Sequence, residues 1–206
     1  MKVKICGITK LEDAQLCARL GADAVGFVFY PKSKRYIQPE VAKNIIIRLP
    51  FFLMKIGVFV DAEPDEINFI AKDIGLNGIQ LHGNEPPDYI SKIDLPVIKS
   101  FRISRVEDFQ LTENYANCSI LIDSFSHDEF GGTGLSFDWE IIPERMKSKI
   151  ILSGGVSINN IKKIFETIKP AAVDLSSSVE SEPGVKDHRK LIDFFNEFNP
   201  LKEIIC

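Results

Sequence analysis

Short apolar runs alternate with amphipathic stretches along the chain. The apolar runs are nearly continuous rather than strictly alternating with polar residues, a pattern typical of parallel strands covered on both faces. In chain order they read KVKIC, DAVGFVFY, MKIGVFV, NGIQLH, PVIKSF, SILIDS, KIILSG and AAVDLSS. The pattern therefore predicts a parallel sheet buried on both sides.

Helical patterns lie between these runs. The first, TKLEDAQLCARLG, has Thr9 and Glu12 at capping-box spacing and closes on Gly21, so it predicts a helix with Thr9 as N-cap. PEVAKNIIIRL has Pro39 in its first turn, and EPDEINFIAKDIG closes on Gly75. The remaining helical patterns are PPDYISKI, SRVEDFQLTENYA, FDWEIIPERM, SINNIKKIFETI and VKDHRKLIDFFNEF.

About eight strand-then-helix units predict an α/β fold, a single (β/α)8 TIM barrel with eight parallel strands over residues 1–206. The alternative is an open doubly wound sheet, which normally carries a Gly-rich first turn. Here the first turn is CGIT, without the G-x-G-x-x-G pattern. Because no linker or low-complexity tract interrupts the chain, we expect one domain.

Composition narrows the classes of function. The net charge of −4 arises from 25 basic and 29 acidic residues without a basic cluster, so we expect no nucleic-acid partner. The N-terminus lacks a signal-peptide pattern, and no apolar run reaches the roughly 20 residues of a membrane span. We therefore expect a cytoplasmic protein with no membrane partner.

The four cysteines lie in no C-x-x-C pair or zinc-like spacing, so we expect no metal site.

Polar side chains gather where the predicted strands end, which is where barrels of this kind carry their chemistry. The opposite strand ends hold little beyond turn residues and lysines. The polar positions, in strand order, are Cys6, Arg35, Gln80 with His82, Lys99, Asp123, Ser153 to Gly155, and Asp174 with Ser176 to Ser178.

Cys6 and Asp123 each have a chemical and a structural interpretation. The positive end of the following helix would favour a thiolate at Cys6, but a small buried residue ending a strand fits equally well. Desolvation after SILI would raise the pKa of Asp123 and suit a general acid, although spacing alone favours an aspartate that caps the loop. A base and an acid facing each other across the barrel mouth is a common layout for proton-transfer isomerisation.

The loops LSGGVS and DLSSSVE predict phosphate binding. A Gly-Gly turn lets backbone amides approach an anion closely, and the loops after strands seven and eight hold phosphate in many barrels. Arg35 in PKSKRY could bind a carboxylate bidentately, although a solvated basic loop is the favoured interpretation of that segment alone. His82 fits either a satisfied strand-end histidine or a site residue, and HDEFGGTG either a lid or a plain flexible loop.

Several motifs together resemble the phosphoribosylanthranilate isomerase family. They are KICGIT, DAVGFVFYPKSKRYI, IQLHG, LIDS, GGTGLSFDW, LSGGV and VDLSSSVE, and they occur in the family's order from the first strand to the last. The resemblance implies an isomerase of tryptophan biosynthesis on a (β/α)8 barrel. Its small-molecule phosphosugar substrate, N-(5-phosphoribosyl)anthranilate, becomes 1-(2-carboxyphenylamino)-1-deoxyribulose 5-phosphate by an Amadori rearrangement that needs no cofactor or metal.

The resemblance also implies roles for individual residues. Cys6 would be the general base, Asp123 the general acid and Arg35 the partner of the anthranilate carboxylate. His82 and Asp174 join Arg35 as substrate-binding candidates. The phosphate-binding positions would be Gly154, Gly155, Ser176 and Ser177. One departure is Ser178, where the family usually has a glycine; a positive φ there would strain a serine.

Two other functions remain open from the residues. The related isomerase of histidine synthesis would use two aspartates and no cysteine, and KICGIT argues against it. A catalytically silent phosphate-binding barrel would keep LSGGV without needing Cys6 or Asp123. Exposed loops at either barrel end could self-associate, so a homodimer is also open.

Overall fold

Eight parallel strands close into a barrel in chain order, with β1 pairing to both β2 and β8. The computed structural model describes residues 1–115, 117–124 and 139–203. The predicted TIM barrel is thereby confirmed; that the whole chain forms one domain stays a prediction. The strands are β1 Lys2–Cys6, β2 Ala24–Val28, β3 Met54–Phe59, β4 Gly78–Leu81, β5 Val97–Ile103, β6 Ser119–Ser124, β7 Ile151–Ser153 and β8 Ala172–Leu175.

Helices of unequal regularity connect the strands. The α-helices are α1 Leu11–Leu20, α2 Pro39–Ile46, α3 Pro64–Ile74, α4 Glu144–Lys147, α5 Ile161–Lys163 and α6 His188–Glu203. After β4 and β5 the connections are the 3₁₀ helices Pro87–Lys92 and Val106–Asn114. Shorter 3₁₀ turns span Trp139–Ile141 and Ser177–Val179, and a π-helical turn, Ile164–Ile168, extends α5.

The start of α1 differs from the prediction. Thr9 is not the N-cap: Lys10 takes that position with extended backbone and no side-chain capping bond. The Thr9 hydroxyl instead donates a hydrogen bond to the carbonyl of Gly184, far along the chain. A tertiary partner has therefore replaced the local capping bond. At the other end, Gly21 has the left-handed φ of 96° that the sequence predicts for a terminal glycine.

The last predicted helix begins later than the pattern indicated. Residues 185 and 186 form a short strand, β10 Val185–Lys186, which pairs antiparallel with β9 Glu180–Glu182. Gly184 makes the turn between them at a φ of 86°. Lys186 is buried against Glu180, and that long-side-chain contact holds the segment in the hairpin rather than in α6.

Side-chain alternation along the strands separates the core from the site. Val3 and Ile5 of β1 belong to the main apolar cluster, which also contains the fully buried Phe194, Phe195 and Phe198 of α6. Burying one such side chain contributes about 1.5–3 kcal/mol. Since successive strand residues face opposite sides, Lys4 and Cys6 point to the barrel interior. Among the described helices, none is long and apolar enough to cross a membrane.

Candidate active site

A cavity of about 430 Å³ opens at the carboxyl ends of the strands. It brings together all nine residues that the sequence analysis assigned to a site. Those residues are Cys6, Arg35, His82, Asp123, Gly154, Gly155, Asp174, Ser176 and Ser177. Tyr30, Gln80, Arg102 and Ser178 also line it. Parallel strands direct their carboxyl ends to one face of the barrel, so residues far apart in sequence meet there.

A buried ion pair lies beside the Cys6 thiol. Lys4 Nζ donates to Asp174 Oδ2 at 2.7 Å, and both side chains are 5% exposed. The same ammonium acts electrostatically on Cys6, two residues along the same strand face, and lowers the pKa of its thiol. Gly26 makes room for this group, because a Cβ there would lie 2.8 Å from Cys6 Sγ. The Lys4 ammonium therefore lies near the Cys6 thiol inside the barrel.

The electrostatics of Cys6 differ from the sequence expectation. Burial raises the pKa of the Cys6 thiol, Lys4 and Lys186 lower it, and Asp174 raises it; the net direction is upward. Burial, and not the expected stabilisation of a thiolate by the α1 N-terminus, therefore has the largest effect on the pKa of Cys6. Burial likewise raises the pKa of Asp174, despite the opposing effect of Lys4. Asp174 Oδ1 is buried and accepts no hydrogen bond from the described residues.

Asp123 faces His82 across the cavity. Their nearest atoms, Asp123 Oδ2 and His82 Nε2, are 3.5 Å apart, and the two side chains are 29% and 27% exposed. On the other side of the ring, His82 Nδ1 lies 3.1 Å from Gln80 Nε2 and 3.0 Å from Ser100 Oγ. These contacts hold the His82 ring with its Nε2 edge toward Asp123.

Arg35 is held in place by a partner that the sequence analysis did not single out. Its Nε and Nη2 donate to the two oxygens of Glu180 at distances of 2.6–3.1 Å. The aliphatic part of Arg35 crosses Gly7, where a Cβ would approach Arg35 Cδ to 2.6 Å. Gly7 has a φ of 78°, so glycine serves both the close approach and the backbone. Arg35 is thus an ordered cavity residue, not part of a solvated basic loop.

Two small-residue loops form a further part of the cavity wall. Gly154 and Gly155 have φ values of 73° and 74°, as a tight turn requires. The hydroxyls of Ser176 and Ser178 are buried and find no partner among the described residues. Leaving such a group unpaired costs about 1–3 kcal/mol, which an acceptor arriving with a ligand would relieve. Ser177 lines the same wall.

Ser178 carries no backbone strain. Among the described residues, the non-glycine residues with positive φ are Asp61 and Lys169, and Ser178 lies within an ordinary 3₁₀ turn. The serine at this position therefore adds a hydroxyl to the wall at no conformational cost. The sequence analysis placed Ser178 in the DLSSSVE loop but gave it no individual role.

A second cavity of about 450 Å³ lies beside the first, over β4 and β5. Its charges already neutralise one another: Lys99 Nζ and Glu85 Oε2 are 3.0 Å apart, with side chains 4% and 2% exposed. Glu85 also accepts from the backbone amides of Asp61 and Gly83. This cluster braces the loops after β3 and β4, and it offers little unsatisfied chemistry for a ligand.

Some predictions fall outside the described residues. The candidate lid HDEFGGTG spans residues 127–134, and residues 131–138 of the GGTGLSFDW motif are likewise outside the described ranges. Cys206 is also outside the described range. Within the described residues, no group of three or more histidine, cysteine or acidic side chains is arranged to hold a metal ion.

Six further residues complete the site but received no role in the sequence analysis. They are Lys4, Gln80, Ser100, Ser178, Glu180 and Lys186. A period-two count would have found Lys4, which is two residues before Cys6 on the same strand and hence on the same face. Glu180 and Lys186 had no local signal, because the groups that connect them to the site, Arg35 and the carbonyl of Cys6, lie elsewhere in the chain.

The chain is similar to proteins of known activity. The family model described as N-(5'-phosphoribosyl)anthranilate (PRA) isomerase matches residues 3–197. The N-(5'-phosphoribosyl)anthranilate isomerase of Thermotoga maritima, strain MSB8, is 47% identical over 192 residues, which cover 91% of this chain and 93% of that protein.

Two solved structures have the same fold at substantial identity. One is a phosphoribosyl anthranilate isomerase in complex with reduced 1-(o-carboxyphenylamino)-1-deoxyribulose 5-phosphate, with a TM-score of 0.87, 42% identity, and coverage of 97% of this chain and 99% of that one. The other contains monomers generated from the dimeric enzyme of Thermotoga maritima, with a TM-score of 0.85, 40% identity and coverage of 97% and 98%.

Proposed function

This chain belongs to the N-(5'-phosphoribosyl)anthranilate isomerase family, and we propose that it performs the Amadori rearrangement of N-(5-phosphoribosyl)anthranilate in tryptophan biosynthesis. The product is 1-(2-carboxyphenylamino)-1-deoxyribulose 5-phosphate. The observation that carries the proposal is one cavity in which a thiol, a carboxyl group and unpaired buried hydroxyls face the same space. Such a cavity can hold a phosphosugar between an acid and a base.

The reaction begins with proton donation by Asp123. The protonated carboxyl group gives its proton to the furanose ring oxygen, and the bond between that oxygen and C1 breaks. The electron pair on the anilino nitrogen forms a protonated imine with C1. The side chain is more than two-thirds buried beside His82 Nε2, a position that limits its access to water.

Cys6 then removes the proton from sugar C2. The electrons of the C2–H bond form a C1=C2 double bond and neutralise the imine nitrogen, giving an enolamine that tautomerises to the ketone. The thiolate must form although burial raises the pKa of Cys6. The Lys4 ammonium and the cationic imine both favour the thiolate, so its formation is coupled to the step that needs it.

The cavity walls bind the ends of the substrate. The phosphate lies against Gly154, Gly155, Ser176 and Ser177, with the Ser178 hydroxyl as an additional donor. The substrate carboxylate pairs with Arg35. In the middle, His82 and the unpaired Asp174 Oδ1 bind the sugar hydroxyls. The ring-opening and C2 proton transfers are assigned to side chains of the chain, so turnover is expected to survive extensive dialysis against EDTA.

Direct turnover tests the proposal. Purified protein should abolish the fluorescence of N-(5-phosphoribosyl)anthranilate and form the ketose product in equal amount. The phosphorylated aminoaldose that the related histidine-pathway isomerase rearranges serves as the competing substrate. Turnover of that substrate alone would overturn the assignment, and binding without turnover of either would identify a catalytically silent barrel.

We also propose that the chain forms a homodimer through the amino-terminal end of the barrel. Phe51 and Phe52, just before β3, are 87% and 93% exposed, with ring centroids 5.3 Å apart. Beside them is a recess of about 350 Å³ whose lining includes Phe52, Met54, Ile56 and Ile98. An apolar loop beside an apolar recess lets two copies insert into each other across a twofold axis. Light scattering would measure the mass; a monomer at micromolar concentration would contradict the proposal.

The cytoplasmic location stays a prediction from the sequence.

A further inference from the structure

Glu180 lies where the β9–β10 hairpin meets the active-site cavity. Its side chain is 4% exposed, and its carboxylate pairs with two cations. Arg35 comes from the loop after β2, and Lys186 from β10 of the same hairpin, with its Nζ 2.8 Å from Glu180 Oε1. The backbone amide of Gly184 donates to the same oxygen at 3.3 Å. A fully charged, fully paired carboxylate therefore lies against Arg35, which lines the cavity.

The second cation connects this carboxylate to the rest of the site. The side chain of Lys186 is fully buried, and its Nζ donates to the carbonyl oxygen of Cys6 at 2.5 Å and to that of Ser176 at 3.4 Å. Cys6 and Ser176 are the proposed base and a proposed phosphate ligand. One chain of contacts thus links the Arg35 guanidinium, the strand end that carries Cys6 and the phosphate loop.

The pairing leaves one edge of the Arg35 guanidinium available. Glu180 occupies the side formed by Nε and Nη2, whereas Nη1 makes no hydrogen bond within the described residues. Arg35 lines the cavity and keeps 27% of its side chain exposed. A guanidinium can bind one carboxylate through each edge, so its orientation by the first decides where the second can bind.

The Glu180 carboxylate is ionised under ordinary conditions. Burial would raise its pKa, but the hydrogen bonds from Arg35 and Lys186 outweigh burial and lower it. The same contact raises the pKa of Arg35. The interaction is therefore one between permanent charges, and it holds a long side chain that would otherwise sample many rotamers.

We propose that Glu180 is a positioning residue that acts through Arg35, fixing the guanidinium so that its free edge receives the carboxylate of the substrate. This inference rests on the proposed function, in which Arg35 pairs with that carboxylate. Glu180 itself touches no reacting atom. Its contribution is to substrate selectivity: it makes the site favour a carboxylated aromatic ring over the same ring without the carboxylate.

The test compares two substrates, N-(5-phosphoribosyl)anthranilate and N-(5-phosphoribosyl)aniline, which lacks the carboxylate. Glu180→Gln is nearly isosteric and removes the charge. It is expected to raise the KM for the anthranilate substrate about tenfold or more while changing kcat less than threefold. For the aniline substrate its KM should change less than threefold. Glu182→Gln, an equal charge change at an exposed position of β9, should leave both substrates unaffected.

Two further variants keep the test decisive if Glu180→Gln folds poorly. Glu180→Asp retains the charge on a shorter side chain and should recover part of the selectivity. Glu180→Gln combined with Lys186→Met avoids a lone buried ammonium, and it should show the same loss of selectivity as the single variant. Thermal unfolding of each variant, followed by circular dichroism, separates folding defects from binding defects.

Arg35→Met distinguishes the inference from the function on which it rests. It should abolish the preference for the carboxylated substrate. If Arg35→Met removes that preference while Glu180→Gln and Glu180→Asp leave both KM values unchanged, the inference is wrong and the proposed function stands. Equal losses on both substrates in the folded Glu180 variants would also overturn it. If Arg35→Met weakens both substrates equally, the carboxylate assignment of Arg35 and this inference fail together.

Discussion

The two ends of the barrel contain recesses of similar volume, about 430 Å³ at the carboxyl end and about 350 Å³ at the amino end, but their chemistry is opposite. The carboxyl end has buried polar groups without partners among the described residues, including Asp174 Oδ1 and the Ser176 hydroxyl. At the amino end the charges are paired: Asp23 contacts Lys2 and Lys202 at 2.8 and 3.0 Å.

The difference separates the two roles that we propose for these surfaces. Unpaired buried polar groups are costly, so a folded chain that keeps them has a site in which a ligand can satisfy them. Paired charges around exposed aromatic rings need no such ligand, but the rings favour contact with another apolar surface. Changes at one end should therefore affect chemistry, and changes at the other should affect association.

The largest effect is expected from the proposed acid and base. Cys6→Ser and Asp123→Asn should each lower kcat by about 10²–10⁴-fold, since each removes one proton transfer, while the variants still bind product in calorimetry. Cys118→Ser is the matched control, because Cys118 is a half-buried cysteine outside the cavity. Near-normal kcat in either variant would refute the role of that residue. Neither variant should alter the mass in solution.

A smaller effect is expected at the ion pair beside Cys6. Since the raised pKa keeps the thiol protonated at neutral pH, kcat/KM should rise with pH, up to tenfold per unit, until the thiolate dominates. Lys4→Met removes a charge that lowers this pKa, so the rise should move to higher pH and activity at pH 7.5 should fall at least tenfold.

Asp174→Asn should move the same pH profile in the opposite direction, because Asp174 raises the pKa of Cys6. Only the midpoint of the profile is compared, since Asp174 is also proposed to bind the sugar. Lys2→Met is the control: it lies on the same strand and is 73% exposed. Identical midpoints in Lys4→Met and the unaltered protein would contradict the coupling of Lys4 to Cys6.

The hydroxyl wall should contribute about tenfold per residue. Ser176→Ala and Ser178→Ala each remove one donor to a charged phosphate, an interaction of about 1.5–3 kcal/mol. KM should rise about tenfold or more, and inorganic phosphate should inhibit correspondingly less. Ser181→Ala, on the exposed face of β9, should change neither quantity. If KM is unchanged in both wall variants, the phosphate lies elsewhere.

The smallest effect on activity is expected at the amino end. Phe52→Lys places a charge in the proposed dimer contact, so light scattering should show monomers while kcat/KM stays within about twofold. Phe69→Lys is a control at a different exposed phenylalanine, on α3 and 73% exposed. Retention of the dimer in Phe52→Lys, or its loss in Phe69→Lys, would place the contact on another surface.

The strand positions were well predicted because their signal is local. KVKIC and SILIDS correspond residue for residue to β1 and β6, and the other six runs contain or overlap their strands. The connections were predicted less accurately. PPDYISKI and SRVEDFQLTENYA form 3₁₀ helices rather than α-helices, because spacings of three and four residues are hardly distinguishable over so few turns.

The sequence predicted which residues belong to the candidate site, but it did not predict the contacts that they make. Each nominated residue lines the cavity, because the family motifs and the strand ends mark those positions. Residues whose role depends on a distant partner, such as Glu180, were missed. Thr9 was assigned to the wrong partner for the same reason: the sequence offers a capping position, whereas the fold supplies the carbonyl of Gly184.

By itself, the sequence determined the order of strands and helices, the resemblance to a family and the face on which the chemistry gathers. These depend on side-chain periodicity and motifs, which are properties of neighbouring residues. Only the closed barrel decided that Lys4 would pair with Asp174, 170 positions away, and Arg35 with Glu180, 145 positions away. Such contacts follow from strand register and closure, and those are set by the packing of the whole molecule.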